Sequence, residues 1–148
     1  MEKIDADKVL IYATTSRGLL VFDEPDFPHV LPQVPGGTVE PGEDIRAAAC
    51  REFFEETGLE APASLTYLGE LIYRFEQAGR HIVHRRQCFH ATLPEPLAAT
   101  WTHAEMTPFS GGDPIVFRFF WLDIDEARTR LGYGMDEALA LLPIRQGI

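Results

Sequence analysis

Residues 36–59 read GGTVEPGEDIRAAACREFFEETGL, and residues 43–57 of this stretch have the composition of a helix. The three alanines at 47–49 favour helix propagation, and Asp44 near the start is favourable beside the positive end of the helix dipole. Gly58 suits the position just after the last turn, where a left-handed conformation ends many helices. The sequence therefore predicts one helix from Glu43 to Thr57.

This predicted helix carries Glu52, Glu55 and Glu56 on one face, because at 100° per residue the i, i+3 and i+4 positions are neighbours. Each like-charged pair at these spacings costs about 0.2–0.5 kcal/mol. The same arc also carries apolar residues, namely Ile45, Ala48 and Ala49. Amphipathic helices normally separate charged and apolar faces, so we expect the three carboxylates to lie in a partly enclosed cleft.

Crowded carboxylates with little water around them either acquire raised pKa values or hold a cation. Ligand sets made only of oxygen suit a hard divalent ion such as Mg²⁺ or Mn²⁺. The sequence therefore predicts a metal site, and the alternative is a solvated acidic face that binds nothing.

The same stretch contains a complete family motif. In order it has Gly37, five residues, Glu43, seven residues, Arg51-Glu52, Phe53, one residue, Glu55-Glu56, Thr57, Gly58 and Leu59. This resembles the Nudix box, Gly-x5-Glu-x7-Arg-Glu-U-x-Glu-Glu-x-Gly-U with U a bulky apolar residue, at every specified position. The resemblance implies an α/β (α+β) fold of the Nudix type, an αβα sandwich with a mixed sheet between helices, formed by residues 1–148 as a single domain.

The resemblance also implies an activity: metal-dependent hydrolysis of a pyrophosphate bond, in a nucleoside diphosphate linked to another group, by attack of water on phosphorus. Mg²⁺ or Mn²⁺ would be the cofactor. Glu52, Glu55 and Glu56 are expected to bind it, together with the carbonyl oxygen of Gly37. Arg51 is expected to orient a carboxylate, since it reaches Glu55 at i+4.

Three further residues are expected to support the geometry of the loop and helix: Glu43, Gly36 and Gly58. Glu43 would do so either near the metal or by pairing with Arg51 or Arg46. The general base stays open between Glu56, Glu52 and Glu105. Glu105 lies outside the motif, and its alternative is an ordinary exposed loop residue.

Other parts of the chain predict the remaining elements. Strands are expected at 8–15, 18–24, 65–76, 81–93 and 115–124, where β-branched and large apolar residues are frequent, and helical turns at 125–131 and 135–142. Residues 25–37, with four prolines and two glycines, are expected to be a loop. Residues 94–114 form an unusually long connection, which indicates either function or disorder.

Basic and aromatic residues supply candidates for substrate binding. In the segment RHIVHRR, residues 80–86, we expect Arg85 and Arg86 to contact phosphate, the alternative being an exposed strand with ordinary charges. Nucleobase stacking is expected from a few aromatic residues, most of which are alternatively core residues: Phe27, Tyr73, Phe75, Trp101 and Phe109.

Composition limits the partners. The net charge of −10 over 148 residues argues against duplex DNA, RNA ends or an anionic membrane surface as the main partner and leaves a small-molecule nucleotide. Cys50 and Cys88 form no CxxC pattern, and the N-terminus does not read as a signal peptide, so a cytoplasmic location is expected. The family often forms dimers, which makes a homodimer one expected assembly.

The substrate stays open among nucleoside triphosphates, oxidised nucleoside triphosphates, dinucleoside polyphosphates and similar compounds. The alternative to an enzyme is a Nudix-fold module that binds or senses a nucleotide without turnover. Such a module would be expected to have a degenerate box, whereas this box keeps its arginine and every glutamate.

Overall fold

The computed structural model describes residues 2–105 and 112–143. Its elements follow in the order β1 (Ala6–Thr15), β2 (Gly18–Asp23), β3 (Gly36–Thr38), α1 (Ile45–Thr57), β4 (Thr66–Gln77), β5 (Arg80–Thr92), β6 (Trp101–Glu105), β7 (Ile115–Leu122), α2 (Ile124–Arg130) and a 3₁₀ helix (Met135–Leu141). The predicted α/β class is confirmed.

The strands form one mixed sheet in the order β4-β5-β1-β2-β7-β6, with β3 paired to β1. Strands β1 and β5 are parallel, and the other pairs are antiparallel. One edge of β1 is shared between two partners. Lys8 to Leu10 pair with β3, whereas Thr14 and Thr15 pair with β2.

Helix α1 covers one face of the sheet. It begins after Asp44, whose carboxylate accepts the backbone N–H of Ala47 at 3.0 Å, and Gly58 ends it with φ of 79°. The end at Thr57 agrees with the prediction, whereas the helix starts two residues later than predicted. The helix buries Phe53 and small residues against alternate residues of β1 and β5.

Helix α2 and the 3₁₀ helix cover the opposite face. The intervening residues of β1, including Leu10 and Tyr12, pack there with Ala127 and Met135. The segment 135–142 therefore forms a helix, but of the tighter 3₁₀ type. With α1 on one side and these helices on the other, the sandwich is of the predicted kind.

Two segments that were expected to be connections contain strand residues, whereas the expectation of function or disorder at 94–114 stays a prediction, since residues 106–111 lie outside the described residues. Residues 94–114 contain β6, which pairs antiparallel with β7, and residues 25–37 end in the first two residues of β3. Strand β6 is only five residues long and has polar and small residues at its centre, so its sequence carries little strand signal. None of the helices in the described part of the chain has the length and apolar character that a membrane crossing requires.

Candidate active site

The core of the site is the contact between α1 and β3. Glu56 Oε1 accepts the backbone N–H of Gly36 at 2.8 Å. The carboxylate of Glu52 lies against Gly37, so closely that a β-carbon on Gly37 would overlap it. Two glutamates one turn apart are thereby held against two consecutive glycines, which places Glu52 and Glu56 beside Gly37.

Arg51 donates hydrogen bonds to three carboxylates beside this contact, those of Glu43, Glu52 and Glu55. Its Nε and Nη2 donate to the two oxygens of Glu43, each at 2.8 Å, and Nη2 also donates to the carbonyl of Thr38 at 3.1 Å. Its Nη1 donates to Glu52 at 2.8 Å and to Glu55 at 3.2 Å. The expected pairing of Arg51 with Glu43 and Glu55 is present, and Glu52 is an additional partner.

The carboxylates differ in their surroundings. Burial raises the pKa of Glu56 well above the usual range for a carboxyl group, and nearby Glu52 and Glu105 raise it further, against the effect of the Gly36 N–H. Burial also raises the pKa of Glu52, against the effect of Arg51. The side chain of Glu52 is only 13% exposed, whereas that of Glu55 is 54% exposed. The enclosed cleft therefore holds Glu52 and Glu56, and Glu55 lies at its rim.

Glu105, at the end of β6, joins this group. Burial raises the pKa of Glu105, and the charge of Glu55 raises it further. Glu24, just after β2, is also near, since burial and then Glu105 raise its pKa. The ends of β2 and β6 reach α1 through the pairing of both strands with β7, which the local sequence does not reveal. Glu24 was therefore not predicted.

The donor set fits a hard divalent cation. It consists of carboxylate oxygens with backbone alongside, and its partly buried negative charge is only partly compensated by Arg51. Within residues 2–105 and 112–143, no three His, Cys, Asp or Glu side chains already converge as a metal cluster. The oxygens accept from Arg51 and from the Gly36 N–H, and since a carboxylate has about four lone-pair sites, these bonds leave sites on each group for a cation.

A cavity of about 290 Å³ adjoins the carboxylates. Its lining includes glycines and Glu56 from the site just described, apolar side chains, and the polar residues Lys8, Gln33, His84 and Arg86. The amino group of Lys8 donates to Thr38 Oγ1 at 2.6 Å, next to Gly37. Lys8 was not predicted, because its position depends on the pairing of β1 with β3.

Arg85 and Arg86, both predicted to contact phosphate, lie on opposite faces of β5 and line different cavities. Successive side chains of a strand point to opposite faces. Arg86 lines the 290 Å³ cavity, whereas Arg85 lines a separate cavity and donates to Asp7 at 2.6 Å. The alternation along β5 could have revealed this separation from the sequence. Arg85 is therefore removed from the candidate substrate contacts.

Of the aromatic candidates for nucleobase stacking, two line the cavity and the others do not or lie outside the described residues. Tyr73 and Phe75 line the cavity, with ring centroids 5.3 Å apart. Trp101 is structural, since its ring stacks on Phe119 and its Nε1 donates to the carbonyl of Thr57. Phe27 is exposed and does not line the cavity, and Phe109 lies outside the described residues.

Comparisons with known proteins give one family and one fold. The sequence model of the NUDIX domain matches residues 4–142. No curated protein matches the chain. Among solved structures, the MutT NUDIX hydrolase from Burkholderia pseudomallei is 18% identical, with 95% of this chain and 99% of that chain covered and a TM-score of 0.67.

Two other solved structures have the same fold. The Ap4A hydrolase of C. elegans is 18% identical, with 94% of this chain and 96% of that chain covered and a TM-score of 0.56. The NUDIX domain of Shewanella oneidensis NrtR, complexed with ADP ribose, is 15% identical, with 95% and 87% covered and a TM-score of 0.63.

Proposed function

The chain belongs to the NUDIX domain family and is a Nudix-type pyrophosphohydrolase, and from this premise we propose that it hydrolyses, with a divalent metal, the pyrophosphate bond of a nucleoside diphosphate linked to another group. We further propose that residues 1–148 form a single domain, since the family match extends over residues 4–142.

One observation carries this proposal: Glu52 and Glu56 are held in a partly buried position against Gly36 and Gly37, beside a cavity of about 290 Å³ that also carries Lys8 and Arg86. Buried carboxylates without a full complement of cations are costly in a protein that binds nothing at that place. Their position is explained if a cation completes the site.

Glu52, Glu55, Glu56 and the carbonyl of Gly37 are the residues proposed to hold Mg²⁺ or Mn²⁺. When bound, such an ion neutralises pyrophosphate charge, orients the leaving phosphate and makes a bound water more acidic. Arg51 contributes by fixing Glu52 and Glu55 through its two 2.8–3.2 Å contacts. Glu43 and Thr38 in turn fix the guanidinium of Arg51.

In the reaction, the oxygen of water forms a bond to one phosphorus of the pyrophosphate, and the bond between that phosphorus and the bridging oxygen breaks. The proton released by water passes to a carboxylate. Glu52, Glu56 and Glu105 are the candidates for this general base, since all three are partly buried carboxylates of the candidate site.

The substrate classes proposed are nucleoside triphosphates, including oxidised ones, dinucleoside polyphosphates and similar compounds. The structural relatives named above include a MutT hydrolase, an Ap4A hydrolase and a domain complexed with ADP ribose, so this fold accommodates several nucleotides. The predictions of a cytoplasmic location, of no DNA or membrane partner and of a homodimer rest on sequence and resemblance, and they stay predictions.

The test is a phosphate-release screen with Mg²⁺ or Mn²⁺ on dNTPs, 8-oxo-dGTP, diadenosine polyphosphates, ADP-ribose and nucleotide sugars. Glu56→Gln is the test variant, and Glu126→Gln, on the far helix α2, is the matched control. We expect metal-dependent turnover that is lost in Glu56→Gln and kept in Glu126→Gln. Binding of nucleotides without turnover of any compound would contradict the proposal and favour a binding or sensing module.

A further inference from the structure

Arg86 is a buried cation that forms no ion pair with any residue of the described part of the chain. Its residue surface is only 7% exposed, and among the described residues it makes one hydrogen bond, from Nη1 to the carbonyl of Tyr133 at 2.6 Å. Its guanidinium carbon lies 3.9 Å from the centre of the Tyr73 ring. Within the described ranges 2–105 and 112–143, the ion pairs of arginine involve other residues: Arg51, Arg74, Arg85, Arg118, Arg128 and Arg130.

A guanidinium has five N–H donors and stays charged in proteins. Burial of such a charge is costly unless it is paired. Tyr73 and the Tyr133 carbonyl compensate only part of this cost, and Glu137 on the 3₁₀ helix favours the charge only from a distance. No side-chain nitrogen or oxygen among the described residues is both fully buried and unpaired, so the remaining donors of Arg86 face the cavity that it lines.

A second cation, Lys8, lines the same cavity nearer the carboxylates. Burial lowers its pKa, whereas Glu52 and Glu56 favour its charged form, and Arg86 opposes it. In the register of the sheet, Lys8 of β1 pairs with Thr38 of β3 on one side and with Arg86 of β5 on the other. Across the sheet the order is therefore β3, where Gly36 and Gly37 contact the glutamates, then Lys8, then Arg86.

The third basic side chain of the cavity is uncharged near neutral pH. Burial lowers the pKa of His84, and the charges of Lys8 and Arg86 lower it further. The region beyond Glu56 thus carries two fixed positive charges, in a protein whose net charge is −10. Such a local reversal of sign favours an anion over a neutral group.

We propose that Lys8 and Arg86 bind a phosphate group of the substrate that is not part of the bond cleaved at the carboxylates. This deepens the proposed function and rests on it for the identity of the substrate as a nucleotide. The planar fork of Arg86 presents paired N–H donors to two phosphate oxygens, and Lys8 acts as a point charge. The substrate class is then a nucleotide with at least three phosphates or with a separate distal phosphate.

The probe is inorganic tripolyphosphate without divalent metal, with its dissociation constant measured by calorimetry. Arg86→Met removes the charge and keeps an apolar chain of similar length, and Arg85→Met is the matched control on the opposite face of the same strand. We expect affinity to fall about tenfold or more in Arg86→Met and in Lys8→Met, the range for a lost charged hydrogen bond, and to stay unchanged in Arg85→Met. Arg86→Lys keeps the charge without the fork and is expected to lie between.

Several results would overturn the inference. Equal affinity of wild type and Arg86→Met for tripolyphosphate would show that the guanidinium is structural. Equal affinity of the wild type for orthophosphate and tripolyphosphate would indicate a free-phosphate site. Arg86-dependent binding of guanosine or adenosine, with none of tripolyphosphate, would assign the fork to a nucleobase edge. If Arg86→Met does not fold, Arg86→Lys and Lys8→Met give the same comparison.

The outcome is separable from that of the hydrolysis screen. Because tripolyphosphate binding is measured without metal, it is expected to persist in Glu56→Gln. Failure of the screen with Arg86-dependent binding intact would refute the hydrolysis and keep the anion site. Turnover of nucleotide sugars that lack a distal phosphate, with the same KM in wild type and Arg86→Met and no turnover of triphosphates, would refute the anion site alone.

Discussion

The carboxylate of Glu52 fills the space that a β-carbon on Gly37 would need. Position 37 therefore requires glycine, because only a residue without a β-carbon lets the backbone of β3 approach α1 at van der Waals distance. The φ of Gly37 is not in the left-handed region, so the requirement is one of space and not of backbone conformation.

Gly37→Ala is expected to reduce hydrolysis far more than stability. The added methyl group displaces the end of the Glu52 side chain, which can move, and a misplacement of about 1 Å at a catalytic site costs about a hundredfold in rate. The measurement is kcat/KM with Mg²⁺ beside the melting temperature. Unchanged kcat/KM in a folded variant would show that the position of Glu52 does not matter.

Gly36→Ala is expected to reduce stability more than hydrolysis. A β-carbon on Gly36 would overlap the backbone carbonyl of Val9, which cannot move without separating β3 from β1. Overpacking of this kind costs about 1–3 kcal/mol in free energy of unfolding. The test compares the free energies of unfolding of Gly36→Ala and Gly37→Ala, measured by urea denaturation. Equal stability of the two variants would show that a β-carbon on Gly36 does not disturb the contact between β1 and β3.

Acidification is expected to weaken the fold through Glu43. The hydrogen bonds from Arg51 lower the pKa of Glu43 to about 2, below the value of 4.5 for a free glutamate. Because the folded-state pKa is the lower one, this carboxylate stabilises the fold above about pH 4.5, and the contribution is lost as pH falls toward 2.

The check on Glu43 is the free energy of unfolding of wild type and Glu43→Gln as a function of pH. The difference between the two proteins is expected to be largest near neutral pH and to shrink over that acidic window. Curves that run parallel from neutral pH to the acid limit would show that Glu43 is not stabilised by Arg51.

Thiol labelling is expected to distinguish the two cysteines. Cys88 is buried, and burial raises its pKa to about 11, so little thiolate is present at mildly alkaline pH. Cys50 is only partly buried. A thiol reagent should therefore label Cys50 alone in the native protein and both residues in urea. Native labelling that survives Cys50→Ala would contradict this.

Local signals in the sequence accounted for α1 well. The alanine-rich composition, Asp44 near the start and Gly58 at the end are all contained within the helix and its flanks, so tertiary structure had little to change. Strand β6 was missed because its five residues become a strand only by pairing with β7. Such pairing is a long-range effect that propensity does not register.

The residues of the candidate site also differ in whether local sequence or strand pairing fixes their positions. Glu52, Glu56 and Arg51 were found because one helix fixes their spacing. Lys8 and Glu24 were missed because they reach the carboxylates through sheet register and strand ends. The separation of Arg85 from Arg86 is an intermediate case, since it follows from strand alternation once β5 is accepted as a strand.

The division of one edge of β1 between β3 and β2 has an evolutionary consequence. The carboxylates come from α1 beside β3, whereas β4 and β5, on the far side of β1, supply four residues of the cavity lining: Tyr73, Phe75, His84 and Arg86. Mutations that alter the accepted substrate can therefore accumulate in β4 and β5 while the catalytic helix stays unchanged. Selection can thus act on substrate range and on chemistry at different positions, and the two sets meet at Glu56, Gly36 and Gly37.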